Sequence, residues 1–378
     1  MAVKIVRQPK NIALLGAPTS AASLAAGHER APAALRAAGL VARLTAAGFA
    51  VTDYGDCTTR VFTVDEEHPR ARNAGQVLAT LEELRPKVEI ALKTGALPVI
   101  LSGDDSPVLA TIAGCRRYFR NVSLIHVDRD AGLNVPATTP SGCVDGMVIS
   151  HVIGRGAPEL VRFHGEPPLV REPEVALFGV ERLDEPERQF LRQSPVRRYL
   201  VQDIERRGAA AAAEDALEHM HGRRYEFVLH VDLDVIASED FAATNLSAPG
   251  GLRFDELREA LAVFTRQPTL AALEISAYNP ALDPEGAAAR RVVELLAELL
   301  ASRLETQPAA EQPNPAPALA TEAAADEAGP ETPKAVEVSP AFEAPSTAPA
   351  PAAQPEAASS RAPDDATSDP ASSDDASG

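Results

Sequence analysis

Cysteine is scarce in this chain and long apolar runs are absent. Cys57, Cys115 and Cys143 are the only cysteines among 378 residues, and their wide spacing fits neither a disulfide framework nor a zinc site. No apolar run approaches the roughly 20 residues that span a bilayer. The amino-terminal MAVKIVRQPKNIALLGAP lacks a long apolar region followed by a cleavage site, so the expectation is a cytoplasmic protein. Basic charge is in deficit as well. Lysine and arginine number 36 against 54 aspartates and glutamates, a formal net charge of −18, which argues against nucleic acid and anionic membranes as partners.

The acidity is unevenly distributed. From Thr306 onward there are thirteen acidic residues against Lys334 and Arg361, thirteen of the 32 prolines, and Phe342 as the only aromatic. Such a segment cannot bury enough apolar surface to offset its backbone entropy, so residues 306–378 are expected to form a disordered acidic Ala/Pro-rich tail. Residues 1–305 then form one domain. Within it, strands are expected at 11–15, 49–54, 97–101, 175–180, 227–235 and 269–275, with helices over 31–48, 74–94 and 255–264. A last helix is expected with Asp283 as its N-cap and Pro284 at the first position. Strands alternating with helices of this length imply one mostly parallel sheet with helices on both faces.

The most informative stretch is Leu124 to Val148, LIHVDRDAGLNVPATTPSGCVDGMV. An apolar strand ends in two aspartates and runs into a Pro/Thr/Ser/Gly loop, the way an α/β protein presents ligands at the carboxyl edge of its sheet. Phe227 to Val235, FVLHVDLDV, repeats the design. Period-2 geometry puts His126, Asp128 and Asp130 on one face, and likewise His230, Asp232 and Asp234. Two carboxylate-tipped strands converging on one point would make a cation site. The histidines, one strand repeat (~6.6 Å) deeper than the aspartates, read as hydrogen-bonded core residues. Ser102, Asp104 and Ser106 follow another strand, but no histidine accompanies them to make a nucleophilic serine.

Several segments carry a resemblance. GAPTS, PAALRAAGLVARLTAAGFAVTDYGD, LPVILSGDDS, HVDRDAGLNVPATTPSGCVDGM, FGVERLDEPE, HVDLDVIASEDF, APGGL and AYNPALD occur in the order found in arginases, of the ureohydrolase family, and the likeness covers residues 11–305. It implies a three-layer α/β sandwich around a parallel sheet, commonly assembled as trimers or hexamers, with two manganese ions that activate a bridging hydroxide. The residue matches are partial. Asp105 stands in SGDDS where arginases carry a His ligand, Asp130 replaces a second His ligand, and Gly132 stands where a carboxylate ligand is lost. Asp128, Asp232 and Asp234 are kept. Asp145 stands for the histidine of proton transfer, and Ala277 for the glutamate that receives the substrate guanidinium. The amino-acid end differs little: Asn134, Thr139 and Ser141 match the residues that hold the α-carboxylate, and Asp184 and Glu187 those that hold the α-amino group.

If the resemblance holds, Asp105, Asp128, Asp130, Asp232 and Asp234 crowd one cleft. Two like charges at 4 Å cost up to about 4 kcal/mol at an effective dielectric of 20, so the group must take up protons or bind a cation. Carboxylate in place of imidazole favours a hard divalent ion, Mn²⁺ or Mg²⁺, and one ion rather than two. Three functions stay open. The first is a protein that binds an amino-acid-like, arginine-type ligand with guanidine hydrolysis weak or lost. The second is a working metal-dependent hydrolase of amidine or amide C–N bonds, with Asp105 and Asp145 as acid and base. The third is a non-catalytic subunit that partners an active ureohydrolase.

Overall fold

The computed structural model describes residues 5–220 and 224–306. Its strands are β1 (Asn11–Ala17), β2 (Ala50–Asp56), β3 (Leu97–Ser102), β4 (Val122–Val127), β5 (Val175–Val180), β6 (Arg197–Leu200), β7 (Glu226–Asp232) and β8 (Leu270–Ser276). They form one sheet in the order β2-β1-β3-β8-β7-β4-β5-β6, with every pairing parallel. Near-continuous apolar runs such as LPVILS, VALFGV and LAALEIS are buried along their whole length, as strands covered on both faces must be.

Alternation along the strands divides the core. Leu14, Val99, Leu101, Ile125, Val127 and Leu229 pack on one face with the helices Ala31–Ala37, Leu40–Ala46, Ala209–His219, Phe254–Thr265 and Ala287–Thr306. Leu15, Ile100, Leu124 and Val228 pack on the other with Ala74–Lys93 and Val108–Arg116. The three-layer α/β sandwich with a parallel sheet is therefore the observed architecture.

Local expectations need three corrections. The helix expected over 31–48 is two helices, 31–37 and 40–46, separated at Ala38–Gly39. The last helix begins at Ala287 rather than Pro284. Asp283 caps it from outside: its Oδ2 accepts from the Ala289 amide at 2.9 Å and from the Tyr278 hydroxyl at 2.8 Å. β7 stops at Asp232, and Leu233–Val235 is a 3-10 turn whose Asp234 amide donates to Asp232 Oδ1 at 2.6 Å. Beyond Thr306 the expected tail lies outside the described residues. Among the described residues, no helix is long and apolar enough to cross a membrane.

β3 leaves the sheet through Gly103, where three chain segments meet. Its amide donates to Ala17 O at 3.0 Å and its carbonyl accepts from the Ala277 amide at 2.8 Å. A Cβ here would lie 1.9 Å from Thr19 O and 2.9 Å from His28 O, both backbone atoms that cannot swing away. Gly103→Ala is therefore expected to displace the loop that carries Asp104 and Asp105 and to cost roughly 1–3 kcal/mol. Chemical denaturation measures this; an unchanged midpoint would contradict the packing described.

Candidate functional site

Polar residues replace the apolar pattern in two layers at the carboxyl edge of the central strands. The deeper layer is set by register: His126 on β4 lies beside His230 on β7, which lies beside Glu274 on β8. The imidazoles stack with centroids 4.8 Å apart, and Thr111 donates to Glu274. One repeat nearer the surface lie Asp128, just past β4, then Asp232 and Ser276, which are paired in register. The layers are joined by hydrogen bonds, His126 Nε2 to Asp128 at 2.9 Å and His230 Nε2 to Asp105 at 3.0 Å. Ser276 adds a bond to Asp105 Oδ1 at 2.6 Å. The histidines are buried as the sequence implies; that they hold the site's own aspartates is new.

Asp105, Asp128, Asp130, Asp232 and Asp234 all line one cavity of about 260 Å³, together with Asp145, Asn134, Thr139, Ser141, Asp184 and Glu187. Every residue proposed from the sequence for the site reaches it. Burial raises the carboxyls of Asp128 and Asp232 well above the usual range, and the neighbouring Asp105 charge adds to the shift. Burial also raises Asp234 to about 7 and Asp130 to about 6, with Arg182 opposing both shifts. Asp105 behaves differently. Burial would raise it, but the charge and hydrogen bond of His230 hold it below the usual range. His230, despite its burial, is pushed up to about 10 by Asp105 and Glu274.

At the other end of the cavity the amino-acid-type residues are interlinked. Asn134 Nδ2 donates to Asp184 Oδ2 at 2.8 Å. Glu187 accepts from the amides of Leu133 and Asp184, both at 2.9 Å, so its carboxylate ties two loops together. Thr139 and Ser141 accept from the Gly142 and Cys143 amides at 2.9 and 3.2 Å. Each hydroxyl can still donate its proton to a ligand carboxylate.

Three further features of the wall depend on the fold. Arg182 extends its guanidinium to Asp130 and Asp234, at 2.9 and 2.7 Å. His28 lines the cavity with its Nε2 buried and without a hydrogen-bond partner. Its Nδ1 lies 3.3 Å from the Ser23 hydroxyl, which donates to Asp145 at 2.7 Å. Only the fold brings the loop 23–28 to this wall. Gly132 has φ +60°, and a Cβ on it would meet Val148 and Ile149 at 3.1–3.3 Å. A side chain at the missing ligand position is thus disfavoured by both backbone and packing.

This sheet, with its acidic cleft at the carboxyl edge, matches proteins of one family. The Arginase family model matches residues 10–302. The chain belongs to the arginase family. It is 30% identical to the arginase of Brevibacillus brevis over 298 residues, which are 78% of this chain and 99% of that protein. The arginase of Bacillus subtilis is 29% identical, at 78% and 99% coverage. Among solved structures, Bacillus caldovelox arginase superposes with a TM-score of 0.71 at 27% identity, covering 77% of this chain and 98% of that one.

Two donor sets in this arginase-family chain could hold a metal ion. One ligand atom each of Asp105, His126 and Asp128 lie within 4.8 Å of one another, as do those of Asp128, Asp232 and Asp234. The second set fits better. It is all oxygen, as a hard divalent cation prefers, and Asp234 Oδ1 is buried with no hydrogen-bond partner. Asp105 and His126, by contrast, already bond to His230 and Asp128.

The raised carboxyls make this testable through pH. Asp130 and Asp234 titrate at about 6 and about 7, whereas an unfolded chain releases such protons near ~3.9. Each therefore stabilises the ion-free fold fully at low pH, and that contribution is lost as pH rises through the folded value. A bound cation replaces the protons. The gain in Tm from saturating Mg²⁺ is expected to be larger at about pH 8 than at about pH 6. Equal gains at both would contradict it.

Proposed function

We propose that this chain holds one divalent cation, Mn²⁺ or Mg²⁺, beside a pocket for an arginine-type amino acid, and that its hydrolysis of guanidines is weak or lost. The observation that carries this reading is the cavity wall at Ala277 and Arg182. Ala277, buried and at φ +66°, offers a methyl where a guanidinium needs a carboxylate. The chain's own Arg182 guanidinium already engages Asp130 and Asp234. A substrate guanidinium would enter without an anionic partner, and positioning would be lost with it. The head end supports binding, since the Thr139 and Ser141 hydroxyls and the Asp184 carboxylate face the same cavity.

A second reading is favoured by His28. The chain His28–Ser23–Asp145 could move a proton at the cavity wall in a working hydrolase of another C–N substrate. Turnover of an amidine or amide that is lost in both His28→Ala and Asp145→Asn would establish it over the first.

For the first reading, calorimetric titration of the Mn²⁺-loaded protein should show arginine and ornithine binding within about tenfold, under ~1.4 kcal/mol apart. A ligand without the α-carboxylate should bind far more weakly, because it would cover the half-buried Thr139 and Ser141 hydroxyls without pairing them, at up to about 1–3 kcal/mol each. Urea release from arginine should stay near background. Asp105→His, Asp130→His, Asp145→His and Ala277→Glu together should recover part of it, and no one of them alone. Rapid urea release by the unmodified chain would overturn this reading.

A further inference from the structure

Arg182 is placed by its backbone rather than by chance contact of a flexible side chain. Asp130 and Arg182 form a parallel β-bridge. The amides of Glu181 and Arg182 both donate to Arg129 O, at 2.9 and 3.0 Å. Arg129, itself buried, donates to Glu181 at 2.7 Å and to Ala248 O at 2.8 Å, which anchors this pair of loops to a third. The loop after β4 and the loop after β5 are thereby joined in register at the mouth of the acidic cleft.

From that position the guanidinium spans two carboxylates. Nε lies 2.9 Å from Asp130 Oδ1 and Nη2 donates to Asp234 Oδ2 at 2.7 Å. The Asp130 contact is one of charge, since Nε has no hydrogen-bond partner, whereas the Asp234 contact is a charge-assisted hydrogen bond. The consequences for the two aspartates differ. Asp234 commits one oxygen and keeps Oδ1 buried, unpartnered and grouped with Asp128 and Asp232. Asp130 is turned to the half-exposed side of the cleft, where its side chain is 37% exposed, and it belongs to neither donor group.

Resting on the one-ion reading above, we propose that Arg182 is a built-in counter-cation that withholds Asp130 from the ion. The ion then rests on Asp128, Asp232 and Asp234, and Arg182 sets how weakly it is held. Removing the guanidinium frees a fourth carboxylate and takes away a positive charge next to the cation. Both effects tighten binding, but only the first depends on Asp130.

A double-mutant cycle on the full chain separates them, with Mn²⁺ alone as the probe and calorimetry as the readout. Arg182→Ala is expected to lower the Mn²⁺ Kd by at least about tenfold. Arg182→Gln, which keeps a polar side chain at the mouth, should do the same. Asp130→Asn should change the Kd of the otherwise unaltered protein by less than about threefold, yet remove most of the gain when combined with Arg182→Ala. Weakening by Asp130→Asn to the same degree in both backgrounds would overturn the proposal while leaving the ion in place. So would a rise from one bound ion to two in Arg182→Ala, because the guanidinium would then fill an ion's place rather than hold a ligand away. No Mn²⁺ binding by any of the five proteins would overturn the one-ion reading itself, and this proposal with it.

Discussion

Repulsion among carboxylates is the constraint on which the rest of this site depends. β3, β8, β7 and β4 end side by side, and Asp105, Asp128, Asp130, Asp232 and Asp234, which follow β3, β4 and β7, meet around one cavity. A pair of like charges at 4 Å costs up to about 4 kcal/mol at an effective dielectric of 20, so an uncompensated cluster of five could not persist. The fold compensates them individually. His230, held charged by Asp105 and Glu274, neutralises Asp105 from below. Arg182 neutralises Asp130 and one oxygen of Asp234 from the mouth. Arg182 only partly offsets the rise at Asp130 and Asp234, and Asp128 and Asp232 have carboxyls raised well above the usual range, which is the state of groups awaiting either protons or a cation.

Viewed this way, the cleft is divided by function as well as by charge. The proposed ion would rest on the three carboxylates of Asp128, Asp232 and Asp234. The proposed amino-acid head would meet hydroxyls and an Asn–Asp pair, while Glu187 ties together the two loops that carry them. Between them, Ala277 and Arg182 occupy the region in which a substrate guanidinium would need anionic contacts. On the proposed reading binding and bond cleavage are separable in this chain, since Asn134, Thr139, Ser141, Asp184 and Glu187 match arginases where Asp145 and Ala277 do not.

Much of this was legible in the sequence because it depends on local pattern. The buried strands announce themselves as apolar runs, and the two His-Val-Asp-x-Asp segments announce a cation site because each places its aspartates where a strand ends. Register with arginases then brought Asn134, Thr139, Ser141, Asp184 and Glu187 to the same cavity. What stayed hidden depends on long-range placement. Arg182 is one of many arginines until the loops after β4 and β5 are zipped together, and His28 lies some hundred residues from its Ser23-linked partner Asp145. The helix boundaries at Gly39 and Ala287 were also missed. At the latter, Asp283 reaches the first turn from outside the helix, so a sequence pattern that resembles an N-cap marks the wrong residue.

Electron paramagnetic resonance of the protein titrated with Mn²⁺ most directly tests whether these carboxylates make a centre for one ion. Two Mn²⁺ ions sharing bridging carboxylates are exchange-coupled and give a spectrum distinct from that of an isolated ion. At saturation the protein should show the spectrum of a single, magnetically isolated Mn²⁺, with bound metal equal to protein. A coupled-pair spectrum, or two ions per chain, would contradict the charge compensation described for Arg182 and His230.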